Sequence, residues 1–298
     1  MTGKYNEGYI TGFKGVKLFQ RNWIVGNPIA NVVFLHGYGD HSARYGHLAA
    51  FLNSNNISFY TFDLRGHGKS GGARWNVENF NYFIKDLDLF MKETKRQGEL
   101  KNLFFIGYSM GSTICLKYLL CYNINPSGAI LISPAFGAYL YNIFVPDSVI
   151  NVMNYFIGPI ARTLDSIASL PLIGSKIYNK YLTHNRAEVE SFKQDPLVNQ
   201  KSFKLRMGLE ISRNIVEVKE KAINLTLPFL ILYGKDDRVV PTTPIKKFYL
   251  SLSSHDKKLI EYNELYHDLL HEIDYEKVYE DILNWITKRS NCNFEKNS

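Results

Sequence analysis

The sequence predicts an α/β protein: a mostly parallel central sheet covered by helices on both faces, with a mainly helical cap inserted between two strands. Three observations carry this. Short, nearly continuous apolar runs recur along the chain, as expected of strands covered on both faces. Segments with apolar residues at helical spacing lie between them, and strands alternating with helices make a doubly covered sheet. The alternation then fails over one long stretch, about residues 136–225, and resumes after it.

Taken in order, residues 7–24 read as two short strands around a turn at Phe13-Lys14-Gly15. The parallel strands are expected at 32–35, 57–62, 103–106, 129–132, 229–233 and 258–262. Between them run four helical stripes: Tyr45, Leu48, Ala49 and Leu52; Val77, Phe80, Ile84, Leu87 and Met91; Ile245, Phe248, Tyr249 and Leu252; and Tyr275, Val278, Tyr279, Ile282 and Ile286. Met110, Ile114 and Tyr118, with Cys115 and Leu119 beside them, add a helix directly after the third parallel strand. The core is then residues 1–135 and 226–298, and the cap is 136–225. The cap segment is broken by Pro146, Pro159, Pro171 and Gly174 and is rich in apolar residues such as Ile157, Ile160, Leu164, Ile167, Leu170, Leu172 and Ile173. An insertion of this kind folds most simply over the strand ends, where such sheets bind ligands.

Composition narrows the function. The 298 residues are 45% hydrophobic, enough for a sizeable core and against disorder. The formal charge is +7, but the basic residues are scattered rather than run together, which argues against a nucleic-acid partner. Cys115, Cys121 and Cys292 form no disulfide framework and suit a reducing compartment. The first residues are polar, unlike a secretory leader, and the apolar stretch at 143–164 is interrupted by Pro146, Asp147, Asn151, Asn154, Pro159 and Arg162. A soluble, cytoplasmic protein is expected, with peripheral membrane contact through the apolar cap as a further expectation.

The chemistry starts at Gly107-Tyr108-Ser109-Met110-Gly111, a G-x-S-x-G pattern. The pattern is short, but its setting of strand, sharp turn and helix is what a nucleophile elbow requires. The glycines permit the turn, and Ser109 is then held strained with its Oγ exposed. A base for that serine is expected in Tyr266-His267-Asp268-Leu269-Leu270-His271. His267 follows the last strand and sits at the same sheet edge as the elbow, and an imidazole titrates near neutral pH. His271 is the rival, closer to the last helix and read as structural. A carboxylate to orient the imidazole is expected after strand 229–233, where Asp236 and Asp237 both qualify on position. Either gives the chain order serine, aspartate, histidine, which is that of an α/β-hydrolase. The oxyanion donors expected are the backbone N–H of Met110 and that of Tyr38 in His36-Gly37-Tyr38-Gly39-Asp40-His41.

Other motifs read as structure. Asp63-Leu64-Arg65-Gly66-His67-Gly68-Lys69-Ser70 has neither phosphate-loop pattern, so Asp63 and His67 are expected to shape a turn, and His36 to be a hydrogen-bonded structural residue. His267 and His271 have i, i+4 spacing but no glutamate between them, so neither a zinc site nor any other metal or cofactor is expected.

Together, His36-Gly-Tyr-Gly-Asp-His-Ser-Ala-Arg-Tyr45, the Asp63–Ser70 segment, the elbow, Gly234-Lys-Asp-Asp-Arg238 and Tyr266-His-Asp-Leu-Leu-His271 occur in order at suitable intervals. In this combination the chain resembles the monoacylglycerol lipase and lysophospholipase branch of the α/β-hydrolase fold, over about residues 8–288. The resemblance implies Ser109 as nucleophile, His267 as base, Asp237 as acid, and Tyr38 and Met110 as oxyanion donors. It implies a small lipid ester as substrate and no cofactor. Three residues depart from the family pattern: Tyr108 where histidine is frequent, Ser112 where glycine is frequent, and Tyr38 where a small residue is usual. They bear on substrate choice rather than on the reaction. Related uses of the fold are peptidase action, with Glu188, Glu190, Asp195 or Glu210 holding a substrate amine, acyl transfer to an alcohol, and non-catalytic ligand reception.

Overall fold

The computed structural model describes residues 4–96, 98–122, 124–140, 143–171 and 179–295; Leu172, Ile173 and Gly174 of the insertion lie outside the described residues. Strands β1 (Lys4–Thr11) and β2 (Lys17–Ile24) form an antiparallel hairpin around a 3-10 turn at Phe13–Gly15. Next come β3 (Ala30–Leu35), α1 (Gly46–Ser54), β4 (Ile57–Phe62), α2 (Asn81–Arg96), β5 (Leu103–Tyr108), α3 (Met110–Cys121) and β6 (Gly128–Ile132). The insertion opens on a short antiparallel pair, β7 (Ala138–Leu140) and β8 (Ile143–Val145). Helices α4 (Asp147–Phe156), α5 (Gly158–Thr163), α6 (Asp165–Ala168), α7 (Arg186–Gln194) and α8 (Leu205–Lys221) follow. The chain returns to the sheet through β9 (Phe229–Gly234), α9 (Thr243–Ser251), β10 (Lys257–Tyr262) and α10 (Tyr275–Glu295).

The main sheet has eight strands in the order β1-β2-β4-β3-β5-β6-β9-β10. From β4 to β10 neighbours are parallel, and the pairs β1–β2 and β2–β4 at one edge are antiparallel. Period-two alternation divides the strand residues between two cores. Val33, Leu35, Phe105, Leu131 and Ile231 pack with α2, α3, α8 and α9 on one face. Val32, Phe34, Ile106, Ile130 and Leu230 pack with α1 and α10 on the other. Every residue of β3, β4, β6 and β9 is buried, which is why these strands read as unbroken apolar runs.

Two sequence expectations shift. Val77 and Phe80 are buried as read but precede α2, which begins at Asn81. The Phe80 N–H donates to Glu210 Oε2 at 2.9 Å, so a residue from α8 takes an amide just ahead of the helix. The pair β7–β8 adds strand to the insertion; at three residues each, these strands are too short for periodicity to register. Within the insertion, α8 is no loose cover. Met207, Ile211, Ile215 and Val218 recur along one face and join the core cluster that holds Phe105 and Ile114.

Candidate active site

The parallel sheet places β3, β5, β6 and β9 so that their following loops meet at one edge. Ser109 occupies the step from β5 to α3 with φ 50° and ψ −117°, a left-handed conformation that a residue with a Cβ rarely adopts. The glycines around it are required by close approach. A Cβ on Gly111 would lie 2.0 Å from the Leu35 carbonyl oxygen, and one on Gly107 2.6 Å from Ser112 Cα. Ser112, where the family pattern often has glycine, donates its hydroxyl to the Gly107 carbonyl at 2.7 Å and ties the helix start to the strand end. The Ser109 N–H is held by the Ile132 carbonyl at 2.9 Å.

His267 is buried, with Nε2 3.0 Å from Ser109 Oγ and Nδ1 2.7 Å from Asp237 Oδ2. This geometry gives Nδ1–H to the carboxylate and leaves Nε2 to accept the serine proton. Asp237 is itself fixed: its Oδ1 accepts the N–H groups of Val239 and Val240 at 2.8 and 2.9 Å. Asp236, equal on sequence position, points to solvent. His271 is turned away from the serine. Its Nδ1 meets Asp268 at 2.9 Å and its Nε2 donates to the Arg44 carbonyl at 2.9 Å. Burial lowers the His271 pKa, but the charge and hydrogen bond of Asp268 outweigh it and the net shift is upward.

The loop after β3 lies against the elbow: a Cβ on Gly37 would stand 3.3 Å from Ser109 Cβ and 3.1 Å from the Tyr108 ring. This puts the loop that carries Tyr38 against the elbow, where Met110 opens α3. The Tyr38 ring stacks on Phe203 with centroids 4.0 Å apart, and its hydroxyl accepts a hydrogen bond from Asn199 Nδ2 at 2.8 Å. Tyr108 is buried with its ring centroid 5.4 Å from that of His267. Desolvation, then the charges of Asp268, Asp40 and Asp237, push its pKa well above the ordinary tyrosine value, so it stays neutral. His36 uses both ring nitrogens structurally, accepting Leu64 N–H at 2.9 Å and donating to the Gly37 carbonyl at 2.8 Å. Asp63 accepts the N–H groups of Ser42 and Lys69 at 2.8 and 2.7 Å and pairs with Arg21, so it organises the turn.

Several residues that hold this site were not read in that role from the sequence. His41 Nε2 lies 2.7 Å from Asp195 Oδ2, and the Asn199 N–H donates to the Gly39 carbonyl at 2.7 Å. Gly39, at φ +75°, has Asn199 packed where its Cβ would be. Glu272 joins residues far apart in sequence, so neither helical nor strand spacing marks it. The four acidic cap residues available to a peptidase reading have neighbours within the protein: Glu188 lies near Arg44, Glu190 pairs with Lys193, Asp195 pairs with His41, and Glu210 accepts Phe80 N–H.

A strained serine after a central parallel strand, with an imidazole and a carboxylate from later loops, defines the serine-hydrolase class of α/β proteins. The family model described as serine aminopeptidase, S33, matches residues 26–274. Rat monoglyceride lipase is 30% identical over 291 residues, covering 94% of this chain and 90% of the relative. The monoacylglycerol lipase of Mycolicibacterium smegmatis is 27% identical, over 94% of this chain and 96% of the relative. Among solved structures, that of Paleococcus ferrophilus monoacylglycerol lipase superposes with a TM-score of 0.76 at 24% identity, over 91% of this chain and 99% of that one. The chain belongs to this S33 family, in its monoacylglycerol lipase branch, and is a carboxylic ester hydrolase of the α/β-hydrolase fold.

Proposed function

We propose that the chain hydrolyses lipid esters, monoacylglycerols or lysophospholipids, through an acyl-enzyme on Ser109. The observation that carries this reading is the relay of Asp237, His267 and Ser109, with separations of 2.7 and 3.0 Å, on a strained elbow. Ser109 Oγ attacks the ester carbonyl carbon as its proton passes to His267 Nε2. Asp237 holds the tautomer and stabilises the imidazolium. The backbone N–H groups of Tyr38 and Met110 receive the oxyanion, a contribution of about 10²–10³ in turnover for each donor. The tetrahedral species collapses, the C–O bond breaks, and His267 returns the proton to the leaving alcohol. Water then adds to the acyl-enzyme with the same base, and Ser109 is restored.

The names of the relatives motivate the monoglyceride class, and the apolar insertion supports a fatty acyl substrate delivered from a lipid surface. Tyr155 and Phe156 on α4 are 76% and 66% exposed, and Val152, Ile160, Leu164 and Leu170 are exposed near them in the chain. No helix among the described residues is long and apolar enough to cross a membrane, so the contact proposed is peripheral. The peptidase reading suggested by the family description is weaker here, because each acidic residue available to hold a substrate amine already has a protein partner.

A fluorophosphonate probe tests the reaction. Wild type should label and Ser109→Ala should not, and Asp237→Asn or His267→Ala should lose at least about 10³-fold in turnover. A well-folded wild type that does not label would overturn the catalytic reading. Turnover on glycerol esters, lysolipids and aminoacyl amides of graded length would then set the substrate; faster cleavage of the amides would overturn the ester assignment.

A further inference from the structure

We propose that Glu272 is a positioning residue that couples the insertion to the catalytic imidazole; this rests on the reading of His267 as base. Glu272 is fully buried. A carboxylate in that position is tolerated only when donors surround it. Its Oε1 accepts the Tyr266 N–H at 2.8 Å and faces His184 Nδ1 at 3.1 Å. Its Oε2 accepts the His184 N–H at 2.9 Å and the Thr183 hydroxyl at 3.0 Å. One oxygen therefore grips the backbone one peptide before His267, and the other grips a strap of the insertion.

The strap braces the same loop at further points. Leu182 O accepts the Asp268 N–H at 2.7 Å, and the Thr183 hydroxyl also lies 2.9 Å from the His271 carbonyl. The His184 ring stacks on Tyr266 with centroids 3.7 Å apart. From the core side, Ser133 Oγ donates to the His267 carbonyl at 2.6 Å. The backbone on both sides of His267 is thus tied to residues 182–184, and beside the direct contacts Glu272 is a buried carboxylate that bonds to the loop at Tyr266 and to the strap at Thr183 and His184. A shift of the strap is transmitted to the imidazole through it. An imidazole displaced by about 1 Å loses the aligned approach on which general-base transfer depends.

Glu272→Gln separates this role from simple support of the fold. Glutamine offers one oxygen where the carboxylate offers two, so its NH₂ must face either the Tyr266 side or the strap side, and one pair of donors is left unmet. The full chain is compared with wild type by the low-field NMR resonance of the His267 Nδ1 proton bound to Asp237, and by kcat and KM on a short soluble ester. The expected result is a displaced or lost resonance, with kcat lowered about 10- to 100-fold and KM within about two-fold. A folded variant with an unshifted resonance, or with kcat within about two-fold of wild type, overturns the proposal. Should Glu272→Gln fail to fold, Thr183→Val and Thr183→Ser decide: loss in the first and recovery in the second support the coupling, and equal activity refutes it. A wild type that shows the resonance but neither labels with a fluorophosphonate nor turns over esters refutes the hydrolase reading, while the resonance in Glu272→Gln still decides the coupling.

Discussion

The two halves of the insertion differ in what they touch. From α4 to α6 the segment presents apolar residues to solvent and is held mainly from behind by α8. Lys219 meets Asp147 at 2.7 Å, Arg206 Nε donates to the Ala161 carbonyl at 2.7 Å, and Leu205 N–H to the Leu170 carbonyl at 2.7 Å. From residue 182 to 203 the segment instead bonds to the two loops that frame Ser109. Asp195 and Asn199 tie down the Tyr38 loop, and Leu182, Thr183 and His184 tie down the His267 loop. One insertion therefore has an apolar outer part suited to meeting lipid and a polar inner part that builds the site. A cover that moved as one body would have to break the buried polar bonds of the inner part, each costly to leave unmade. The outer part can move without breaking those bonds, though it would have to release its own ties to α8, of which the Arg206–Ala161 bond is buried.

The largest effect expected from this division is on membrane association. Tyr155→Ser with Phe156→Ser removes two aromatic groups, each contributing about 1.5–3 kcal/mol when buried in an apolar phase. Binding to anionic vesicles in a flotation assay at low salt should fall about 100-fold, with turnover of a short soluble ester within about two-fold of wild type. Wild-type protein that does not float would remove the membrane role, and a loss on the soluble ester would break the distinction between the halves.

Asn199→Ala is expected to act oppositely. It deletes the hydrogen bond to the Tyr38 hydroxyl while keeping the backbone bond to Gly39. Turnover of the soluble ester should fall about 10-fold, because the Tyr38 loop, proposed to donate to the oxyanion, loses a restraint. Flotation should be unchanged. Equal turnover in variant and wild type would show that the Phe203 stack, the Gly39 bond and the His41–Asp195 contact suffice to hold the loop.

Acid should give the smallest and most selective effect. His67 lies edge-on to Tyr38 at 5.6 Å, and burial followed by the charge of His36 lowers its pKa from 6.5 to about 3. Between those values the unfolded chain binds a proton that the folded chain does not, so stability is lost as pH falls through that window. Asp63, lowered despite its burial because His36, Ser42 and Lys69 favour the carboxylate, adds loss in the same direction below the ordinary carboxylate range. From pH 7 to 5, hydrogen-exchange protection, taken relative to the intrinsic rate at each pH, should therefore fall first around Tyr38 and Asn199 rather than in α4. His67→Asn should flatten the pH slope of the melting temperature; an unchanged slope would assign the acid sensitivity elsewhere.

Most of the sheet was legible because the inner parallel strands are buried on both faces and so leave apolar runs, while the edge strand β10 is only partly buried. Helices α1, α9 and α10 were legible because a single apolar face repeats at helical spacing, and α3, buried all round from Met110 to Leu119, because Met110, Ile114 and Tyr118 recur four apart after a strand. The position of α2 was less so, since Val77 and Phe80 continue the stripe but bury their side chains from the non-helical segment before it. The elbow could be located because Gly107 and Gly111 are demanded by backbone contacts as close as 2.0 Å. Local sequence left Asp236 and Asp237 equivalent, and the resemblance chose between them. In the structure, the turn after β9 directs Asp237 to His267 and Asp236 to solvent.

What the sequence determined by itself, then, is whatever local periodicity and local sterics encode: the strands, most helices, the strained serine and the neighbourhood of its base and acid. Tertiary structure alone decided how the insertion meets that site. His41 and Asp195, Tyr38 and Asn199, and Thr183 and Glu272 stand 154, 161 and 89 residues apart. Pairs of that separation share no repeat and no motif. They become partners only when the chain folds the insertion back across the strand ends and burial obliges each polar group to find a donor or acceptor there.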